Sequence, residues 1–85
     1  MTMYDKLLII CQETIFQSRY SAHEISNAVD KVYSTLMREC NPYDKLAKLG
    51  AVTLFKIMVF TKNIEPLRYM AHCLGYELIP IKKTS

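Results

Sequence analysis

The residues able to carry chemistry are few in this 85-residue chain, and they are poorly grouped. The histidines are His23 and His72, and the cysteines are Cys11, Cys40 and Cys73. No two of the five stand at i, i+3 or i, i+4, so no metal-ligating set is expected. His72 and Cys73 are neighbours, and neighbours on a helix point about 100° apart, which rules them out as a base–nucleophile pair. The acidic residues are scattered singly, so no paired carboxylates for acid–base work can be argued. With 2 glycines, no glycine-rich phosphate loop exists. The expectation is a protein that is not an enzyme and uses no cofactor and no metal. An odd number of cysteines without a C-x-x-C spacing argues against a disulfide framework and for a reducing, cytoplasmic setting. The cysteines read as small buried hydrophobes.

Basic residues remain. Residues 1–44 carry Lys6, Arg19, Lys31 and Arg38 against six carboxylates, a net charge of −2. Residues 45–85 carry Lys45, Lys48, Lys56, Lys62, Arg68, Lys82 and Lys83 against Glu65 and Glu77, a net charge of +5. A basic half suits a phosphate-bearing or acidic partner, if its cations converge in space. If they scatter, they only solvate the surface.

The elements that must position these side chains are helical. The length fits one domain, and 51% hydrophobic with 22% charged residues fits a folded chain. No apolar run approaches the ~18 residues of a membrane span, and MTMYDKLLII has neither the basic start nor the cleavage site of a signal peptide. Tyr4, Leu7, Leu8, Cys11 and Ile15 predict a helix over residues 3–18. Ser21 and Glu24 form a capping box, with Tyr20 and Ile25 placed as a hydrophobic staple. The stripe Ile25, Ala28, Val29, Val32, Tyr33, Leu36, Met37, Cys40 predicts one helix over 22–39, stopped by Asn41-Pro42. Asn41 as cap, Pro42 at the first position and Gly50 beyond the end predict a short helix over 42–49, with Leu46 and Leu49 inward. Residues 52–60, VTLFKIMVF, are apolar on nearly every face and predict a buried or partner-covered helix. Asn63 can cap a fifth helix, with Leu67, Met70, Ala71 and Leu74 inward and Gly75 closing it. The alternating tail Tyr76–Ile81 allows a short extended edge strand, since Pro80 forbids a central one. Residues 82–85 are expected to fray. The fold class is therefore all-α: one domain over 1–85, a compact bundle of about five short helices, with room for a C-terminal edge strand.

Three segments carry a resemblance: Leu46-Ala47-Lys48-Leu49-Gly50, then Thr53-Leu54-Phe55-Lys56-Ile57-Met58, then Met70-Ala71-His72-Cys73-Leu74-Gly75-Tyr76-Glu77-Leu78. Residues 43–79 resemble the second half of a Cro/XRE-type helix-turn-helix domain, a family of phage and mobile-element regulators. The resemblance implies a DNA-binding transcription regulator acting as a homodimer on double-stranded DNA, with half-sites about 34 Å apart. It makes the helix at 52–60 the reading helix, with Thr53 and Lys56 nearest the bases and Lys45, Lys48, Lys62 and Arg68 on phosphates. The turn from Gly50 to Thr53 is about two residues shorter than the family's, and the first helix is an addition.

A second register competes. Ala22–Ala28 would be the scaffold helix and residues 31–38 the reader, offering Lys31, Tyr33, Ser34 and Arg38. That set is chemically better suited to DNA. The unbroken stripe from Ile25 to Cys40, and Val29-Asp30 as a poor turn, favour the first register. The alternative function is a helical module that binds another protein, as an inhibitor, anti-defence factor or assembly adaptor. It is motivated by more apolar surface on 52–60 and 3–11 than so small a chain hides easily.

Overall fold

Each of the first two helices opens on a reciprocal cap. In the computed structural model, which describes residues 1–82, α1 (Met3–Phe16) begins at Thr2. The Thr2 hydroxyl accepts from the Asp5 amide at 3.1 Å, and the Asp5 carboxylate accepts from the Thr2 amide at 3.3 Å. α2 (Ala22–Ala28) repeats this with Ser21 and Glu24, both bonds at 3.0 Å. Two otherwise orphaned amide donors are satisfied at each start.

The helix expected over 22–39 is two helices. α2 ends at Ala28, and α3 (Tyr33–Glu39) starts after a four-residue turn. Asp30 takes the left-handed conformation, φ 59°, that lets the chain reverse. Asp is one of the few non-glycine residues that visits this region readily. The Asp30 amide donates to the Asn27 carbonyl at 3.2 Å, and the Lys31 amide donates to the Ser26 carbonyl at 2.9 Å. That pair of bonds is the Schellman closure of a helix end. Of the expected stripe, Ile25, Val29, Leu36 and Cys40 face one core, whereas Ala28 and Val32, beside the break, are exposed.

The helix expected over 42–49 does not form. Local side-chain bonds capture its backbone instead: Asn41 Oδ1 accepts from the Tyr43 amide at 2.9 Å, and Asp44 Oδ1 accepts from the Leu46 and Ala47 amides at 3.1 and 3.2 Å. These are the turns by which Asn and Asp compete with a helix. Leu46, expected inward, is 88% exposed, while Leu49 packs on the core. Gly50 closes no helix; it is the N-cap of α4 (Ala51–Thr61), with φ −79°. α5 (Glu65–Leu74) ends as expected on Gly75, φ 88°, with the Tyr76 amide bonded to the Ala71 carbonyl at 2.8 Å. No strand occurs among the described residues, so Tyr76–Ile81 is an extended tail rather than an edge strand. The expectation for Lys83–Ser85 lies outside the described residues.

The fold is all-α, with five helices among the described residues. The core draws Cys11 and Ile15 from α1, Ile25 and Val29 from α2, Leu36 from α3, Cys40 just beyond it, and Leu54 and Ile57 from α4. Each large side chain among these contributes about 1.5–3 kcal/mol by leaving water. α4 packs on α2 and α1; α3 packs chiefly on α2, and α5 chiefly on α1. α3 and α5 thus rest on different helices of the bundle. No described helix is long and apolar enough to cross a membrane.

Candidate nucleic-acid interface

The unit α2–turn–α3 has the organisation of a helix-turn-helix: two short helices joined by a four-residue turn with a left-handed residue inside it. One side is sealed. Ile25, Val29, Leu36 and Cys40 lie in the core, and the buried Ser26 hydroxyl donates to the His23 carbonyl at 2.8 Å. The other side is polar. Ser34, Thr35 and Arg38 are exposed on α3, and the i, i+3 and i, i+4 spacings place Arg38 on the face they share. Tyr33 is half-buried and stacks on His23, with ring centroids 4.1 Å apart and planes inclined by 15°. Asn27 and Lys31 line the groove between the two helices with them.

Two ion pairs hold the turn. Lys31 Nζ lies 3.2 Å from Glu39 Oε2, tying the turn to the last residue of α3. Lys56 Nζ lies 3.3 Å from Asp30 Oδ2, tying the turn to α4. A third pair follows α3: Arg38 Nε donates to Asp44 Oδ2 at 2.9 Å. The Arg38 guanidinium, with the Leu46 and Ala47 amides, holds the Asp44 carboxyl below the usual carboxylate range.

The structure does not bring Lys45, Lys48, Thr53, Lys56, Lys62 and Arg68 onto one face. Thr53 is 7% exposed, turned into the bundle and away from any base edge. Lys56 is occupied by Asp30. Lys45 lies near Asp5 at the start of α1 and donates to the Pro42 carbonyl at 3.1 Å. Lys62 shares a cleft with Gln17, Ser18 and Arg19 at the far end of α1. A helix of that length separates those two lysines by about 20 Å. Lys48 is exposed in the loop, and Arg68 pairs with Glu65 at 3.2 Å on α5. The register that placed 42–49 before a reading helix at 52–60 lacks its first helix. The competing register, with Ala22–Ala28 and residues 31–38, is the one the backbone adopts. Within it Lys31 is an internal tie, and Thr35 is a member that sequence reasoning passed over. The signal was Asp30, a residue type that ends a helix in the left-handed region without needing glycine.

The cysteines divide by burial. Desolvation pushes the Cys11 and Cys40 thiols up to about 12, whereas Cys73 is exposed. Among the described residues no group of three His, Cys, Asp or Glu side chains is placed to hold a metal ion.

An all-α bundle carrying a helix–turn–helix unit on one flank is thus the class of protein to which the chain conforms. A family model described as phage regulatory protein CII (CP76) matches residues 5–85, nearly the whole chain, and the chain belongs to that family. No curated protein and no solved structure matches it.

Proposed function

We propose that this chain is a phage transcription regulator that binds double-stranded DNA as a homodimer, laying α3 in the major groove of each half-site. The α2–turn–α3 unit carries the reading: a sealed apolar back, a polar front of Ser34, Thr35 and Arg38, and a turn fixed by Asp30. Membership of a phage regulatory family supports it. Base edges are read by side chains such as Arg to guanine and Ser or Thr to either partner of a pair. Arg38 is therefore assigned to bases, and Arg19 and Lys62, on a cleft beside the start of α2, to phosphates. The three free cysteines suit action in the cytoplasm. No catalytic step and no cofactor is assigned to the chain.

The test is fluorescence anisotropy of the protein with a ~25 base-pair duplex at about 50 and 200 mM salt, a range over which phosphate contacts change affinity strongly. Binding should weaken steeply with salt. After selection of a preferred site, Arg38→Ala should lower affinity for it about tenfold or more, with less effect on random duplex. Absence of binding at the lower salt overturns the reading, as does an Arg38→Ala protein that binds its site unchanged.

A second reading, a module that binds another protein, is favoured by one observation: Met3, Tyr4 and Leu74, which line one apolar groove, are all more than half exposed.

A further inference from the structure

An apolar groove runs between α1 and α5. Met3, Tyr4 and Leu7 of α1 face Met70, Cys73 and Leu74 of α5 across it. The chain then leaves α5 as an extended tail in which Leu78 is half-buried in a cleft with Arg68 and His72, while Tyr76 is 72% exposed, Ile79 85% and Ile81 79%. We propose that this groove and tail together form the face on which a second copy of the chain docks about a two-fold axis, the tail of each copy lying in the groove of the other. The proposal names the surface of the homodimer in the functional reading above and rests on that part of it.

Three observations choose a second copy as the occupant. The first is area. Met3, Tyr4, Leu74, Tyr76, Ile79 and Ile81 are half to four-fifths exposed. At ~150–200 Å² per large side chain they offer roughly 800 Å², which is about what each partner gives to a standard interface. The second is charge. Lys6 lies 5.7 Å from the Tyr69 ring centroid beside the groove and has no carboxylate partner among the described residues. Glu77, in the tail, shares a cleft with Arg68 and His72 and forms no ion pair with either. Exchange of tails about a two-fold axis brings each Glu77 toward the other copy's Lys6, so one patch is complementary to itself, as an isologous contact requires. The third is position. α5 packs chiefly on α1 and α3 chiefly on α2, and the groove is lined by α1 and α5 alone, so Ser34, Thr35 and Arg38 form no part of it.

The experiment is sedimentation velocity of the full chain from about 1 to about 200 μM, without DNA. The chain should sediment as a dimer over the upper part of that range. Leu74→Glu and, separately, Ile79→Glu should sediment as monomers. Both sites are exposed, and Ile79 lies outside every helix, so at least one variant keeps its fold by circular dichroism. Lys6→Glu should weaken the dimer about tenfold, and the exchange Lys6→Glu with Glu77→Lys should restore it. Alkylation of Cys73 should slow as the protein is concentrated. A chain that stays monomeric throughout overturns the proposal, and so does a folded Leu74→Glu or Ile79→Glu protein that still dimerises. DNA enters none of these measurements. A dimer that ignores duplex would refute the DNA reading alone, and a monomer that binds duplex would refute only this one.

Discussion

Removing Lys31 and removing Glu39 should have unequal effects, although the two form one ion pair. Lys31 Nζ and Glu39 Oε2 are 3.2 Å apart, with the side chains 34% and 11% exposed. The second carboxylate oxygen, Oε1, is buried and has no hydrogen-bond partner. Lys31→Met would leave this carboxylate with neither oxygen compensated. Stranding a fully buried charge costs about 3–5 kcal/mol. Lys31 is one-third exposed and the site is open to water on that side, so about 2 kcal/mol is the expected loss. Glu39→Met removes the carboxylate, puts an apolar stem against the core beside Cys40, and frees an ammonium that reaches water. Replacing such a group by an apolar one is often close to neutral, so a change within about 0.5 kcal/mol is expected. In a small domain ~1 kcal/mol moves the melting temperature by about 4–8 °C, so Lys31→Met should melt roughly 10 °C lower. Urea denaturation at constant m reads both variants, and the double variant should return most of the way to the parent protein. The same ordering should appear in duplex binding, because the pair ties α3 to its turn. If Glu39→Met costs as much as Lys31→Met, the stranded-carboxylate reasoning is refuted.

Asp44→Asn should tighten duplex binding about threefold by releasing Arg38, an exposed pair being worth under ~1 kcal/mol. Asn keeps the Oδ1 acceptor used by the Leu46 and Ala47 amides, so the loop should hold its shape, and an unchanged dissociation constant would show that Asp44 does not restrain Arg38. Because the Asp44 pKa is lowered in the fold, the Arg38–Asp44 link is fully present above the ordinary value of 3.8. It is lost as the pH falls through the lower folded value, so acid titration of the melting temperature should be flat near neutrality and fall only at strongly acid pH. Iodoacetamide at about pH 8 should modify one thiol of the dilute native protein, at Cys73, and three in urea. A thiol raised to about 12 leaves only ~1 in 10,000 ionised there. Labelling of Cys11 or Cys40 at the rate of Cys73 would show that the core opens locally.

What could be read in the sequence follows from how each feature is encoded. Ser21 with Glu24, and Gly75, are local signals that the structure contains; of the 3/4-spaced stripe it buries Ile25, Val29, Leu36 and Cys40 and leaves Ala28 and Val32 exposed. The stripe misled at Asp30 because periodicity reports which face is buried and not whether the backbone is continuous. Two helices on one core carry one stripe. Residues 42–49 misled because Asn41 and Asp44 suit a helix start and a non-helical turn equally well; the side chains bond to amides two and three residues on, and the turn wins. The apolar helix expected at 52–60 is present, but it is buried on one side only, with Val52, Phe55 and Val59 more than half exposed. Its Leu54 and Ile57 are buried, so the resemblance that made it a reading helix had matched core residues. The polar set Tyr33, Ser34 and Arg38 was legible as chemistry. The unbroken stripe argues against a turn within it, and the left-handed Asp30 overturns that argument.

The position of α3 is the sensitive point of the molecule. The helix has seven residues and rests chiefly on α2, and only Leu36 anchors it deeply, with Cys40 just beyond its end. An isolated helix of that length does not hold itself together in water. Its orientation therefore depends on the Asp30 turn and on two ion pairs, Lys31–Glu39 and Lys56–Asp30. The second pair is exposed on the Asp30 side, so salt screens it. On the proposed reading, raising salt acts twice on a DNA complex: it screens the phosphate contacts, and it loosens the tie that aims α3. Affinity for a preferred site should then fall more steeply with salt than affinity for random duplex, since only base contacts need α3 held at one angle. Lys56→Met removes the tie at every salt concentration and should bring the two slopes together, whereas phosphate screening alone would leave them as far apart as before.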